Sequence, residues 1–283
     1  MADSGVKLTV RDDMKPRMWV GDLHALGNLV KACRDLEAAE HERLTGMHKS
    51  TESDRRKEWA RWKGPMKEGI DEAWAGEDAS QLAKTLEKSS LKMELKTKGY
   101  NQQLEGSPEQ VIDEIARPQD VISLQMSLGS SYSLYSSPDG YGFRLTMDKD
   151  GAGVNIFGQT TDWIDRVKGK FTYVLTQQRP KFSWIRNYVV TSLLAIIPPV
   201  AFYVWAASQP GLNATAKTNI FLFFLVVVTA STFFVHFFLA PRLFPSFELV
   251  PLGRRSLGIR SGGAIVGAIV WVVGSIVLPL LIR

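Results

Sequence analysis

Residues 188–208 read YVVTSLLAIIPPVAFYVWAAS and contain no Lys, Arg, Asp or Glu. Two more stretches of this kind follow: NIFLFFLVVVTASTFFVHFFLA at 219–240 and GAIVGAIVWVVGSIVLPLLI at 263–282. Each has close to the roughly 20 residues that a helix needs to cross about 30 Å of hydrocarbon. Residues 188–283 are therefore predicted to form an all-α membrane domain of three transmembrane helices.

The charge of the chain divides at about the same place. Residues 1–180 carry 26 Lys and Arg and 28 Asp and Glu, a net charge of −2. Residues 181–283 carry 8 Lys and Arg and a single acid, Glu248, a net charge of +7. A slightly acidic polar part gives no general attraction to nucleic acid, so the lipid bilayer is the expected partner and nucleic acid is not.

The basic residues also predict the orientation, because Lys and Arg accumulate in cytoplasmic loops. Lys217 is the one charge between the first two apolar stretches, whereas basic residues flank the other ends: Arg166, Lys168, Lys170, Arg179, Lys181 and Arg186, then Arg242, Arg254, Arg255 and Arg260. We expect a multi-pass protein of the cell (inner) membrane with a cytoplasmic N-terminus and an outside C-terminus. The alternative is a re-entrant third stretch, which leaves both ends inside.

The N-terminal sequence and the cysteine content limit the protein classes. The first residues, MADSGVK, lack an apolar leader, so no cleavable secretory signal is expected. A single cysteine, Cys33, excludes an intramolecular disulfide and a multi-cysteine metal site within one chain. His24 and Cys33 lie nearly opposite on a helix and cannot share an ion. No metal and no cofactor are predicted, and Cys33 is interpreted as a core residue.

Residues 1–105 are predicted to be mainly helical, with a possible strand at 6–10. The first helix has apolar residues every three or four positions, at Leu23, Leu26, Val30 and Cys33, and Gly46 is its predicted end. A second helical stretch contains Trp59, Trp62, Met66, Ile70 and Trp74 and is interrupted at Gly64-Pro65. A third contains Leu82, Leu86, Met93 and Leu95.

Residues 107–178 are predicted to form an α+β domain with a small antiparallel sheet and flanking helices. Ser107 and Gln110 match a capping box, and Arg117-Pro118 ends the short helix. Apolar residues alternate in two strands, at Ile122, Leu124, Met126 and Leu128 and at Phe143, Leu145 and Met147, with a further strand near Val154 and Ile156. Thr160 or Thr161 caps a helix that carries Trp163, Ile164, Val167, Phe171, Val174 and Leu175.

A short basic linker, 179–187, joins this domain to the first apolar stretch. It is too short to act as a flexible tether. The cytoplasmic domain is therefore expected to lie directly on the membrane surface in a fixed orientation. A domain held in this way can transmit a conformational change to the helices, which a domain on a long linker cannot.

Two polar segments resemble binding sites, and each also has a plainer interpretation. Basic and aromatic residues interleave at Arg55, Arg56, Trp59, Arg61 and Trp62, which could contact the inner leaflet. The alternative is an amphipathic helix with Trp in the core. Asp148-Lys149-Asp150-Gly151 resembles the start of a calcium loop, but Gln159 stands where the bidentate acid belongs, so a hairpin turn is predicted.

The apolar stretches contain four features of interest. Pro198-Pro199 should kink the first span, and Gly263, Gly267 and Gly274 form a small-residue stripe that suits helix packing. His236 is a candidate intramembrane polar site, with a neutral, hydrogen-bonded histidine as the alternative. The predicted interface anchors are Trp184, Tyr188, Tyr203 and Trp205.

Three function classes remain open. No nucleophile elbow, phosphate loop, zinc motif or dinucleotide motif is present. We therefore expect a non-enzymatic, membrane-anchored interaction or regulatory protein, oligomeric through its spans, with an unidentified cytoplasmic protein partner. One alternative is an oligomeric membrane effector or pore gated by the cytoplasmic domain, and another is a membrane-tethered enzyme.

Overall fold

A computed structural model of the protein describes residues 10–60, 67–98, 103–115, 117–129, 141–186, 188–209, 211, 213–254 and 256–259. These residues form an α+β domain followed by apolar helices. The domain has a six-stranded antiparallel sheet, in which the strands lie in the order Val10–Arg17, Gly151–Gly158, Gly142–Asp148, Val121–Leu128, Lys92–Thr97 and Gln103–Gly106. The α+β prediction is confirmed.

The elements follow one another in a simple order. The strands are β1 (Val10–Arg17), β2 (Trp19–Gly21), β3 (Lys92–Thr97), β4 (Gln103–Gly106), β5 (Val121–Leu128), β6 (Gly142–Asp148), β7 (Gly151–Gly158) and β8 (Phe247–Leu249). The helices are α1 (Leu23–Ala60), α2 (Lys67–Lys88), α3 (Pro108–Asp113), α4 (Thr161–Gln177), α5 (Tyr188–Ala207), α6 (Ala214–Phe234) and α7 (Ala240–Leu243). Short 3₁₀ helices span Pro118–Asp120 and Lys181–Arg186, and a π-helical turn spans Val235–Leu239.

One face of the sheet forms the core of the domain, because its apolar residues pair across the strands. Leu124 lies opposite Met147, and Leu128 lies opposite Phe143. Helices α1 and α4 share one buried cluster with this face, and Phe143 contacts Phe171 edge-on with ring centroids 4.9 Å apart. The predicted alternation in β5 and β6 is confirmed, as are the six buried residues of α4.

Ile122 is an exception, because its side chain is exposed while Val121 is buried. The register explains the difference: Lys96 pairs with Ser123, and Thr97 pairs with Val121, so Ile122 is the extra residue of a bulge. A bulge turns the side chains beyond it to the other face. The prediction that Ile122 faces the core is wrong.

The third predicted helical stretch is also corrected. Helix α2 ends at Lys88, and Met93 and Leu95 lie on β3 with their side chains buried against β5. The spacing changes after Ser89-Ser90 from three or four residues to two, because Leu91, Met93 and Leu95 alternate with charged residues. This alternation is typical of a strand. Residues 92–106 therefore belong to the same sheet and core as residues 107–178.

Helix α1 continues well past Gly46, so the predicted stop is wrong. A Cβ atom at Gly46 would meet no neighbour within 4 Å, and a glycine inside a helix costs only about 1 kcal/mol relative to alanine. Cys33 is fully buried, and burial raises the pKa of its thiol. His24 is exposed, in agreement with the prediction that the two side chains point apart.

Charged pairs attach the buried side of α1 to its neighbours. Glu37 accepts a hydrogen bond from the backbone N–H of Leu91 at 2.8 Å and pairs with Arg34. Arg34 also forms a two-pronged ion pair with Glu109 on α3, and this guanidinium lowers the pKa of the Glu109 carboxyl. The capping box predicted at the start of α3 is confirmed, because Ser107 and Gln110 bond each other's backbone N–H groups.

The predicted strand at 6–10 is described only at Val10, which begins β1 at the sheet edge. Residues 6–9, the turn at 137–140 and the Gly64-Pro65 interruption lie outside the described residues. The Asp148–Gly151 segment is a tight hairpin between β6 and β7, as predicted, with Asp148 paired to Gly151. Thr160 caps α4 by accepting from the N–H of Trp163.

The first two apolar stretches are helical. Among the described residues one helix, Ala214–Leu243, is long and apolar enough to cross a membrane, with a mean hydropathy of 2.3 in its most apolar window. By length and composition it supports membrane association. Helix α5 covers the first stretch, and its apolar part, Ala195–Ala207, is shorter. The third stretch, 263–282, lies outside the described residues.

A substitution at Gly142 tests the packing at the start of β6. A Cβ atom there would lie 2.3 Å from the carbonyl oxygen of Leu128 and 2.4 Å from the Phe157 ring. We expect Gly142→Ala to destabilise the domain by about 2 kcal/mol, because neither neighbour can move freely. Gly169→Ala is the matched control, since its Cβ meets nothing within 4 Å on helix α4. It should stabilise by about 0.5–1 kcal/mol. Equal melting temperatures for the two variants would contradict this packing.

Candidate functional site

The chain returns to the α+β domain after the second apolar helix. Strand β8 pairs in parallel with β2, so that Trp19, Val20 and Gly21 lie beside residues 247–249. The N–H of Trp19 donates to the carbonyl of Ser246, and the N–H of Val250 donates to the carbonyl of Gly21, both at 2.8 Å. We call this pairing the β2–β8 clamp. It joins the segment before α1 to the segment after α7.

Aromatic packing supports the clamp. Trp19 is fully buried and stacks on Phe247 with ring centroids 5.7 Å apart and an interplanar angle of 27°. Gly21 permits this approach, because a Cβ atom there would lie 2.7 Å from the Trp19 ring and 2.8 Å from Ala25. Strand β8 also contacts β5 and the 3₁₀ helix Pro118–Asp120, which precedes β5. The clamp is therefore part of the domain core.

A second connection runs through the linker. The N–H of Val20 donates to the carbonyl of Gln178 at 3.1 Å, which fixes the end of α4 beside β2. Residues Lys181–Arg186 then form a 3₁₀ helix that contacts α5 and α7. The linker is short and helical, as a rigid connection requires. Both ends of the α5–α6 hairpin are thus held at the domain.

The loop after β8 is fixed by Glu248, the only acid in the sequence 181–283. Both carboxylate oxygens of Glu248 accept from the N–H of Leu257, at 2.9 and 3.0 Å. Ser256 is buried, and its hydroxyl accepts from the N–H of Ile259 at 3.3 Å. Residues 250–254 and 256–259 are therefore folded against the clamp rather than extended from it.

A cleft of about 740 Å³ lies between these segments, and we call it the junction cleft. Its walls come from the start of α1, the end of α4, the linker and the loop after β8. Its lining residues are Val20, Gly21, Asp22, His24, Ala25, Gln177, Gln178, Arg179, Pro180, Lys181, Val250, Pro251, Gly253, Arg254, Ser256 and Ile259.

Basic side chains outnumber acidic ones in the junction cleft. Arg179, Lys181 and Arg254 line it together with one carboxylate, Asp22. That carboxylate caps α1 and accepts from the N–H of Ala25 at 2.8 Å. Arg179 is positioned against the linker, because its Nε donates to the hydroxyl of Ser183 at 2.9 Å. The cleft is suited to an anionic group.

Apolar side chains lie beside the cleft and face solvent in the isolated chain. Leu252 is 84% exposed and Ile259 is 55% exposed, while Trp184 on the 3₁₀ linker is 56% exposed. Leu257 is exposed as well. Exposed apolar residues that lie close to basic ones are typical of a surface that contacts a membrane. We call these four residues the apolar rim.

The predicted inner-leaflet contact lies elsewhere. Arg55 pairs with Asp78 of α2, and Arg56 pairs with Glu52, so neighbouring acids balance both charges. The side chain of Trp59 and the whole of Arg61 and Trp62 lie outside the described part. Arg55 is about 50 Å along α1 from the junction cleft at 1.5 Å per residue. The structure does not bring the two features together, and the contact stays a prediction.

The residues singled out in the spans are partly described. Helix α5 continues through Pro198 and Pro199, and His236 lies in the π-helical turn, where the N–H of Ala240 bonds the carbonyl of Val235. Among the anchors, Trp184 and Trp205 are exposed, and Tyr203 packs on Phe224. The side chains of His236 and Tyr188, and residues Gly263, Gly267 and Gly274, lie outside the described part.

Sequence reasoning missed the clamp and the cleft. The signal was present as Pro245-Ser-Phe-Glu-Leu-Val-Pro251, in which apolar residues alternate around Glu248 between two prolines. Such alternation predicts a short strand. The π-helical turn also had a signal, because Pro241 cannot donate to the carbonyl one turn earlier.

Comparisons with known proteins give no relative for this chain. No family model, no curated protein and no solved structure matches it. Among the described residues, no group of three or more His, Cys, Asp or Glu is arranged to hold a metal ion. The function is therefore inferred from the site alone.

The clamp predicts a large effect of Phe247→Ala. Removing the ring leaves a cavity beside Trp19 and should destabilise the domain by about 3 kcal/mol. The variant should unfold at a lower temperature and expose Trp19 to acrylamide quenching. The control is Leu252→Ala, an apolar truncation at an exposed position, which should shift stability by less than about 0.5 kcal/mol. Similar losses in both variants would show that β8 is not part of the core.

Proposed function

We propose that this is a non-enzymatic regulatory protein of the cell membrane, whose cytoplasmic α+β domain recognises a protein partner. The domain would transmit the binding event to the membrane helices. The β2–β8 clamp carries this proposal, since it couples residues on both sides of the α5–α6 hairpin to one rigid core. A simple anchor needs one attachment, whereas this hairpin has two.

The clamp also supports the proposed topology. Helix α5 leaves the domain through the 3₁₀ linker, and the chain is back at the domain by β8. If α5 and α6 both cross the bilayer, their outer ends meet at residues 208–213 and their inner ends meet at the domain. The basic residues lie at the inner ends, in agreement with a cytoplasmic N-terminus. The third apolar stretch would then place the C-terminus outside.

Cysteine labelling tests this topology without removing the native cysteine, because Cys33 is fully buried. Ser50→Cys lies on an exposed part of α1, and Ala214→Cys lies at the exposed start of α6. With a membrane-impermeant maleimide, we expect Ala214→Cys to react in intact cells and Ser50→Cys to react only after permeabilisation. Labelling of both positions in intact cells, or of neither, would refute the proposal.

A second candidate function is an oligomeric effector or pore that opens in response to the cytoplasmic domain. The two rigid connections favour it, because strain at the domain would reach both inner helix ends. The apolar residues of α6 are exposed in the single chain, including Phe223, Val226 and Phe233. Lipid or a second copy would cover them, and Gly263 and Gly267 are the proposed contact between copies.

Liposome flux separates the two candidates. We expect a gated effector to release dye from liposomes, and Phe247→Ala to change the release rate at least several-fold while Leu252→Ala does not. Gly263→Leu with Gly267→Leu should dissociate the oligomer in gentle detergent and abolish release, because the bulkier side chains keep the helices apart. No release from the native protein would reject the effector, and an unchanged mass would reject the glycine contact.

A further inference from the structure

The junction cleft combines features that a neutral or cationic ligand would not use. Three cationic side chains from two segments line it: Arg179 and Lys181 from the linker that follows α4, and Arg254 from the loop after β8. The one carboxylate, Asp22, is engaged in capping α1. The two segments are far apart in sequence and meet beside β2, so the positive charge is assembled by folding.

The size and the walls of the cleft indicate an amphiphilic ligand. About 740 Å³ lies within the range of small-molecule sites and exceeds what an inorganic ion fills. Val20, Val250 and Pro251 provide apolar walls next to the cations. A group with a phosphate and a short polar or apolar extension matches this lining better than phosphate alone.

The apolar rim indicates the direction from which such a ligand arrives. Lys181 lies seven residues before α5, and Ile259 lies four residues before the third apolar stretch. Leu252, Leu257 and Trp184 therefore lie close to both helix entry points along the chain. Exposed apolar and aromatic residues at such positions sit at the headgroup level of a bilayer.

We propose that the junction cleft binds the phosphate group of an anionic glycerophospholipid of the inner leaflet. This proposal rests on the proposed membrane location of the protein. The guanidinium groups of Arg179 and Arg254 present paired N–H donors to phosphate oxygens, and Lys181 adds a point charge. The apolar rim inserts beside the acyl chains. One bound lipid would bridge the linker and the loop after β8, and it would strengthen the clamp.

The variant Lys181→Gln with Arg254→Gln tests the site in the full-length protein. In a neutral detergent, dihexanoyl phosphatidylglycerol should raise the melting temperature, while dihexanoyl phosphatidylcholine should not. Each basic residue near an anionic lipid contributes about 1 kcal/mol, so the apparent affinity of the variant for phosphatidylglycerol should fall roughly 10- to 30-fold. Without lipid, the variant should melt within a degree or two of the native protein, because both side chains are exposed.

The matched control is Lys217→Gln with Arg242→Gln, which removes one Lys and one Arg that do not line the cleft. We expect its affinity for phosphatidylglycerol to change less than about two-fold. An equal loss in the control would show a general charge effect and overturn the site. Inorganic phosphate tested to the same concentrations should be ineffective, and stabilisation equal to that by phosphatidylglycerol would assign the cleft to a free phosphate compound instead.

Flotation with vesicles separates this proposal from the proposed function. Native protein and both double variants should float with phosphatidylcholine vesicles, because the apolar helices and not the cleft hold them. Failure of the native protein to float would reject the membrane location. Flotation of all three proteins together with unchanged phosphatidylglycerol affinity in Lys181→Gln with Arg254→Gln would reject the lipid site alone.

Discussion

The stacking of Trp19 on Phe247 is the contact on which the rest of the junction depends. Two strands of only three residues have few hydrogen bonds, and alone they would be too short to persist. Burial of the two rings supplies the missing free energy, and the backbone groups of β2 and β8 then satisfy one another inside the core. The positions of the linker, of the loop after β8 and of the helix ends nearest the domain follow from this one contact.

The electrostatic design of the junction follows in turn. Residues 181–283 hold a single acid, Glu248, and its carboxylate accepts hydrogen bonds from the backbone N–H of Leu257 in the loop after β8. The same residues hold eight Lys and Arg, so this part of the chain has a net charge of +7. On α1, by contrast, the basic side chains have acidic partners: Arg34 is paired with Glu37 and Glu109, and Arg43 is paired with Glu40. Charges on α1 are thus paired, whereas residues 181–283 carry an excess of basic residues.

Local rules predicted much of the fold. The capping box at Ser107 and the alternation in β6 depend on neighbouring residues, so short-range reasoning succeeds there. Short-range reasoning fails where contacts with residues distant in sequence determine the local structure. Strand β1 contains Asp12 and Asp13, and its sequence looks like that of a loop. Pairing with β7 nevertheless holds it at the sheet edge. Lys168 forms an ion pair with Asp12, and its ammonium lowers the pKa of that carboxyl. The candidate cleft could not be predicted, because its cations come from segments that only the clamp brings together.

The clamp also determines when the core of the domain can finish folding during synthesis of the chain. A ribosome makes Trp19 early and Phe247 only after both apolar helices have been synthesised. Until then the apolar surface around Trp19 has no cover, and domains with such surfaces are prone to aggregation. In the proposed topology, closure of the core therefore requires that the helix hairpin has been inserted and that its end has returned to the side of the domain. A chain with a misplaced hairpin would keep this surface open, where chaperones and proteases can recognise it.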